Sequence, residues 1–294
     1  MKGDRLGNYE VHRAWEGFSS VRQISSGEIM HSRTDPMEEA RQVYVEQTHF
    51  AERLREQSGE PLILWDAGLG AAANVMAAIE CYETSDPKRP LQIVSFENDL
   101  DSLRLAVANT DSFPYLRAEP TNAILAAGEW QSPGGELRWE LIRGDFATTM
   151  TQAPPPDVIF YDMFSSKTSA ELWTAGIFQQ LFATCGARVT ELATYTCSTA
   201  NRAALLAAGF FVARGRNAGE KEETTIAMTP AAARAPFAQQ SDWLSHDWLA
   251  RWERSAAKFP ADIPLSERAR FEKTIRNHEQ FRNSPDPERL IFAT

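Results

Sequence analysis

The feature that most constrains this chain is the stretch Leu62-Ile63-Leu64-Trp65-Asp66-Ala67-Gly68-Leu69-Gly70, an apolar run that ends in an acid and opens straight into a Gly-x-Gly turn. It predicts a buried strand feeding a bend where the backbone turns sharply. Three more acids close later apolar runs: Glu97 after Ile93–Phe96, Asp145 after Leu141–Gly144, and Asp162 after Val158–Tyr161. Carboxylates at successive carboxyl ends of parallel strands converge on one crevice, the place where open α/β sheets bind ligands.

The segments between these acids support that reading. Strands are expected at 62–66, 91–96, 137–142, 157–161 and 188–195, with helices at 74–82, 99–109, 170–183 and 199–208 between or after them. A short helix near 121–128 precedes Ser132-Pro133-Gly134-Gly135, a turn between two short strands. Two last β runs, 210–214 and 224–228, flank a Gly219-containing loop and predict an antiparallel edge hairpin. Repeated strand–helix units imply a mainly parallel sheet with helices on both faces. Residues 1–60 read as an amino-terminal arm with a helix. Thr34-Asp35-Pro36 supplies its start, and Ala40, Val43, Tyr44, Gln47, Phe50 and Leu54 form a stripe near helical spacing. Residues 230–294 lose their strand signals and read as a helical carboxyl-terminal extension, with Trp243, Trp248 and Trp252 on one buried helix face. Three segments follow: 1–60, 61–229 and 230–294.

Composition narrows the function classes. No apolar run approaches the roughly 18 residues of a membrane span, and the amino terminus leads into no apolar signal core. Three cysteines without a CxxC pair predict a reducing, cytoplasmic setting. Five scattered histidines without HExxH predict no metal site. The net charge is −10, and residues 61–229, with 12 basic and 20 acidic side chains, carry −8 of it. Nucleic-acid binders usually present a basic face, so any such contact here rests on a local patch.

The acids suit a nucleoside-containing cofactor, read here as S-adenosylmethionine. Gly68 and Gly70 let the backbone approach the ligand, Asp66 precedes them, and the next helix offers free N–H groups. Glu97 can accept from the ribose hydroxyls, Asp145 from the adenine amino group with Phe146 packed on the ring, and Asp162 would sit beside the sulfonium and its methyl. A nicotinamide dehydrogenase is the competing reading, since Gly68–Ala73 also fits G-x-G-x-x-A. That fingerprint wants its ribose acid about 20 residues on. Glu97 lies 29 past Gly68, and such an enzyme has no use for Asp145 and Asp162. An acid at a strand end can also do nothing more than cap the next helix.

Several blocks resemble the methyltransferase domain of the MnmC family. They are Met37–Val45, Asp66–Gly70, Ser95-Phe96-Glu97, Gly144-Asp145-Phe146, Asp162–Lys167, Leu172-Trp173-Thr174, Leu192–Thr196 and Ala208-Gly209-Phe210, in order from about 37 to 229. The resemblance implies a Rossmann-like class I S-adenosyl-L-methionine-dependent methyltransferase of the α/β class. Its sheet would be mainly parallel and seven-stranded, with an antiparallel edge hairpin and helical amino- and carboxyl-terminal extensions. It further implies tRNA as partner, with methyl transfer completing the 5-methylaminomethyl group of the wobble uridine. Asp162 would be catalytic, orienting the acceptor nitrogen on the S–CH3 axis and helping its proton leave. Phe164 and Tyr195 would bound the acceptor pocket, and Lys167 would contact phosphate. The family often carries a fused flavin domain; this chain resembles the stand-alone members, and a separate flavin oxidoreductase would act upstream.

Three departures stand out. Ala71 and Ala72 replace Thr-Gly after the family's Gly-x-Gly, Ser165–Ser169 lacks the family's prolines, and a basic Gly-x-Lys-Arg-Glu becomes Gly219-Glu220-Lys221-Glu222-Glu223. These leave two other readings open: a methyltransferase for a small amine or other non-tRNA acceptor, and a S-adenosylmethionine-binding or interaction protein without catalysis.

Overall fold

The computed structural model describes residues 3–31, 34–56, 58–86, 88–216 and 223–282. Gly219–Glu222 and the last part of the carboxyl-terminal extension, 283–294, which entered the sequence reading, lie outside them.

Among the described residues there are twelve strands: β1 (Arg5–Leu6), β2 (Tyr9–Arg13), β3 (Ser19–Gln23), β4 (Leu62–Ala67), β5 (Leu91–Glu97), β6 (Glu129–Gln131), β7 (Leu137–Arg143), β8 (Val158–Tyr161), β9 (Glu191–Thr194), β10 (Phe211–Gly215), β11 (Thr224–Met228) and β12 (Asp242–Trp243). Nine of them form one sheet in the order β12-β10-β11-β9-β8-β4-β5-β7-β6. The five central strands β9, β8, β4, β5 and β7 pair in parallel, and β11 runs antiparallel between β9 and β10. The expected seven strands are all there, and β6 is the short strand expected before the turn at 132–135; β12 adds an unforeseen antiparallel strand at the other edge.

Every residue of β4 is buried, as a continuous apolar run predicts for a central strand covered on both faces. One apolar cluster fills each face. Helix Ala73–Thr84 packs in the first; helices Ala175–Cys185 and Thr199–Ala208 pack in the second. Chain order reverses between β4 and β8. The crevice outside their carboxyl ends is therefore the topological switch point.

Both ends of the chain depart from expectation. Residues 5–23 form a three-stranded antiparallel sheet, β1-β2-β3, rather than a plain arm. Its strands are two to five residues long and carry few apolar side chains, with Tyr9, Val11 and Val21 on one face. The expected arm helix is broken: α-helix Pro36–Ala40 runs into a π-turn at Arg41–Val45, and α-helix Phe50–Arg55 restarts after His49 at φ 50°. The predicted stripe nevertheless faces inward, with Ala40, Val43, Tyr44, Phe50 and Leu54 all buried. In the tail, Trp248 and Trp252 lie on the buried face of helix His246–Arg254, but Trp243 lies in β12, where it pairs with Ala213. Beside that edge the Gln280 amide accepts from Val212 N–H and donates to the Val212 and Leu244 carbonyls, filling ladder positions that water would otherwise take.

Candidate functional site

At the switch point lies a cavity of about 710 Å³. Gly68 and Gly70 from the turn after β4, Glu97 from the end of β5, Asp145 and Phe146 after β7, and Asp162 after β8 all line it. Phe164, Lys167 and Tyr195 line it too. Nine of the ten residues singled out from the sequence thus share one hollow. Asp66 does not.

Asp66 is fully buried one residue before the end of β4, below the turn. Its Oδ2 accepts from Ser95 Oγ at 2.8 Å, and that hydroxyl accepts from Trp139 Nε1 at 2.9 Å. The three side chains form a polar ladder across β4, β5 and β7. Burial pushes the Asp66 carboxyl up to about 8, with Asp162 and Glu97 adding to the shift. Its Oδ1 has no hydrogen-bond partner among the described residues. Asp66 supports the turn from beneath and touches no ligand space, a correction to its sequence-based placement.

The glycine turn is set by the protein's own packing as much as by ligand access. At Gly68 (φ 95°) an added Cβ would lie 2.6 Å from the carbonyl oxygen of Asp162. The turn and the end of β8 therefore fit together only without a side chain there. At Gly70 (φ 52°) a Cβ would meet Met30 Sδ at 3.1 Å. Ala72 takes φ 63° just before helix Ala73–Thr84, at the position where the resemblance puts glycine. A left-handed alanine costs about 1–2 kcal/mol. Its full burial within the first apolar cluster offsets part of that.

Glu97 is half-buried and already engaged. Oε1 accepts from the N–H groups of Asn98 (2.9 Å) and Asp99 (3.0 Å), and Oε2 from Gly70 N–H at 3.2 Å. Burial raises its pKa, and these backbone bonds oppose the rise. Only Oε2 keeps a lone pair for one further donor, so a single ribose hydroxyl fits without breaking the Gly70 bond. Asp145 is exposed. Its Oδ1 caps the short helix Phe146–Thr149 through Ala147 N–H at 2.7 Å, so the capping role and a place on the cavity wall coincide. Phe146 is buried in an edge-on aromatic cluster with Phe96 (5.1 Å), Tyr161 (5.8 Å) and Trp65 (6.4 Å), which fixes the ring at the wall.

Asp162 is half-buried just after β8. Asn74 Nδ2 donates to its Oδ2 at 2.9 Å, and the buried Tyr44 hydroxyl lies beside it without regular hydrogen-bond geometry. Burial raises its pKa; nearby His31, Tyr44 and Asn74 oppose the rise, and Glu39 adds to it. Tyr195 donates to the Met163 carbonyl at 2.9 Å and stacks edge-on to Trp173, so its ring is a fixed wall. Burial raises its pKa well above the ordinary range. Phe164 is half-buried, with its carbonyl held by Trp173 Nε1 at 2.8 Å, and Lys167 is exposed at the rim.

Sequence reasoning missed the contribution of the amino-terminal segment. Tyr9, Gln23 and residues Ser26–His31 form one side of the cavity. Glu28 accepts from Ser165 N–H (2.8 Å), Ser165 Oγ (3.0 Å) and Thr168 Oγ1, tying that segment to the loop after Asp162. Nothing in the polar text of residues 24–31 signals this. Asn74 could have been found, since the first turn of a helix after a glycine bend faces the crevice.

Glu28, Glu97, Asp145, Asp162 and Glu171 line the cavity, against Lys167 and His31. The hollow is in the size range of small-molecule sites, roughly 300–1,000 Å³. Its carboxylates suit a cationic ligand, and the aromatic wall beside Asp145 suits a flat ring. Among the described residues no cluster of His, Cys, Asp or Glu is set to hold a metal ion. No helix among them is long and apolar enough to cross a membrane.

Comparison with known proteins bears on the fold and the family. Residues 114–230 match a family described as S-adenosyl-L-methionine-dependent methyltransferase. The chain is 26% identical over 272 residues to the tRNA 5-methylaminomethyl-2-thiouridine biosynthesis bifunctional protein MnmC of Ectopseudomonas mendocina, covering 86% of this chain and 40% of that one. Against the same-named protein of Aeromonas hydrophila it is 26% identical over 214 residues, covering 67% and 32%. It therefore spans about a third to two fifths of these curated relatives. The crystal structure of MNMC2 from Aquifex aeolicus superposes with a TM-score of 0.68 at 20% identity, over 92% of this chain and 84% of that one. The chain has the class I methyltransferase fold, matches the S-adenosyl-L-methionine-dependent methyltransferase family over residues 114–230, and is similar in sequence to the MnmC proteins.

Proposed function

We propose that the chain transfers a methyl group from S-adenosylmethionine to an amine, the 5-aminomethyl group of a tRNA wobble uridine. One observation carries the reading: Asp162, held by Asn74, faces the same hollow as the Gly68–Gly70 turn, Glu97 and Asp145. The kinship with MnmC supplies the acceptor.

The cofactor supplies an electrophilic methyl group on a sulfonium. Glu97 Oε2 would take a ribose hydroxyl, Asp145 the adenine amino group, and Phe146 the ring face. Gly70 leaves the backbone open toward the cofactor, and Asp66 supports the turn from below. Asp162 hydrogen-bonds the acceptor nitrogen, aligns it and accepts the proton that the ammonium must lose before its lone pair can attack. Placement does more than basicity here, since alignment is the larger rate factor. Phe164 and Tyr195 bound the acceptor, and Lys167 at the rim meets phosphate. Residues 61–229 form the methyltransferase unit, and segments 1–60 and 230–294 are its extensions, the first completing the site wall. The free cysteines Cys81, Cys185 and Cys197 suit the cytoplasm. A separate flavin oxidoreductase would provide the aminomethyl acceptor.

The test is methyl transfer from labelled S-adenosylmethionine into aminomethyl-bearing and unmodified tRNA. Only the first should be labelled. Asp162→Asn should bind the cofactor within about threefold of wild type and lose roughly 10²-fold or more in turnover, the scale of general acid–base catalysis. Unchanged turnover in that variant would refute the role of Asp162. The acid-rich lining favours a second reading, a small polyamine acceptor, which labelling of spermidine but not tRNA would establish.

A further inference from the structure

Asn74 is a polar side chain where the packing around it is apolar. It sits in the first turn of helix Ala73–Thr84, 4% exposed, among the buried Ala73, Val75, Met76, Ala77 and Ala78. Asparagine is a poor helix former that is favoured at helix starts because it can cap them, yet this helix start carries no side-chain cap. Half of the amide is unused as well, since Oδ1 is buried with no hydrogen-bond partner among the described residues. Burying an amide on those terms is unfavourable. What offsets it is the bond from Nδ2 to Asp162 Oδ2 at 2.9 Å, on the wall of the cavity that both residues line.

The backbone of Asp162 is already fixed. Its N–H donates to the Ala67 carbonyl at 2.9 Å, and its own carbonyl packs so closely on Gly68 that no Cβ fits between them. The freedom left is in the side-chain torsions, and a bond at Oδ2 restrains both. The amide has one useful orientation, because turned over it would set Oδ1 against Oδ2, two acceptors with no proton between them. We propose that Asn74 is a positioning residue for methyl transfer: its amide holds Oδ2 of Asp162 and leaves Oδ1 to face the acceptor nitrogen. The proposal rests on the reading of Asp162 as the group that receives the acceptor's proton. Asparagine suits the place by charge as well as shape. The sulfonium of the cofactor and the ammonium of the acceptor are both cations, and a lysine or arginine holding the carboxylate would repel them at close range. A neutral N–H donor steadies the ionised carboxylate without that repulsion. In the reaction the ammonium N–H bond breaks and its proton passes to Oδ1 of Asp162. The freed lone pair forms the N–CH3 bond as the S–CH3 bond breaks toward sulfur. Asn74 exchanges no proton in that step.

The test uses the full chain with ¹³C-labelled aspartate carboxyls, the Asp162 resonance being identified by its loss in Asp162→Asn. Asn74→Leu is similar in size and removes the donor; the Asp162 titration midpoint should rise by about half to one pH unit, the share of one N–H donor. The other titratable groups near Asp162, which are His31, Glu39, Tyr44, Asp66 and Tyr195, stay the same in that variant. Its kcat on aminomethyl tRNA should fall roughly 10- to 10²-fold with the cofactor Kd within about threefold, as when alignment and not binding is lost. Asn74→Asp is close in shape, lacks the N–H donor and adds a like charge. It should move the midpoint further in the same direction and serves if Asn74→Leu does not fold. A midpoint unmoved in both variants overturns the proposal. So does a moved midpoint with kcat within about twofold of wild type, or a fall in kcat matched by loss of cofactor binding, which would leave Asn74 only a packing residue. Wild type that leaves aminomethyl tRNA unlabelled sinks the proposed function. The midpoint needs neither cofactor nor tRNA and still decides whether Asn74 holds this carboxylate.

Discussion

Replacing Gly68 by alanine tests whether the glycine turn and the catalytic strand end form one unit. The new Cβ would sit 2.6 Å from the Asp162 carbonyl oxygen and must retreat by about 0.8 Å to reach the 3.4 Å of ordinary contact. The obstacle is backbone, held by Asp162 N–H donating to the Ala67 carbonyl at 2.9 Å, so it cannot swing aside as a side chain would. Overpacking of this kind costs about 1–3 kcal/mol. The φ of 95° adds roughly 1–2 kcal/mol of left-handed strain. Together they predict about 2–5 kcal/mol, and at about 2 °C per kcal/mol for a chain this long Tm should fall by roughly 4–10 °C. The relief is a shift of the β8 end, which carries Asp162 away from Asn74. A displacement near 1 Å should cost on the order of 10²-fold in turnover. Scanning calorimetry and methyl-transfer kinetics read the two effects. A variant with Tm within 1 °C of wild type and kcat/KM within about twofold would refute the interlock.

Three other perturbations follow from the same geometry. Because Asp66 is pushed up to about 8 in the folded chain, it stabilises most fully below its unfolded value, near 3.8, and that stability is lost as pH rises through about 8. Asp66→Asn should therefore gain Tm relative to wild type between pH 5 and 8 and level off above, by thermal scans; a constant difference would contradict the buried acid. Glu28→Ala removes three hydrogen bonds that tie residues 165–168 to the amino-terminal segment, and KM for the acceptor should rise several-fold with a smaller loss in kcat. Lys167→Ala should weaken tRNA binding and lower the slope of log Kd against log salt by about one, measured by gel shift at several ionic strengths.

The parallel core was legible because a buried parallel strand writes itself as an unbroken apolar run, as at Leu62–Trp65 and Val158–Tyr161. The converging acids were legible for the same reason: each marks where such a run stops. Asp66 misled because the strand continues to Ala67, so the acid that closes the apolar run lies inside the sheet and hydrogen-bonds Ser95 instead of reaching the crevice. The β1–β3 sheet was invisible because its short strands carry few apolar side chains and pack only one small apolar cluster, around Tyr9, Val21 and Phe113. Glu28 and His31 reach the site through tertiary placement of that segment. No spacing within residues 24–31 encodes their place on the cavity wall. Trp243 followed the helical spacing of Trp248 and Trp252, but pairing with β10 pulled it into a strand.

The account stands most directly on a crystal structure of the chain with S-adenosylhomocysteine, the demethylated product. The predicted density runs from the Gly68–Gly70 turn past Glu97 to Phe146, with the sulfur facing Asp162. Density lodged elsewhere, or a ligand whose sulfur points away from Asp162, would contradict it.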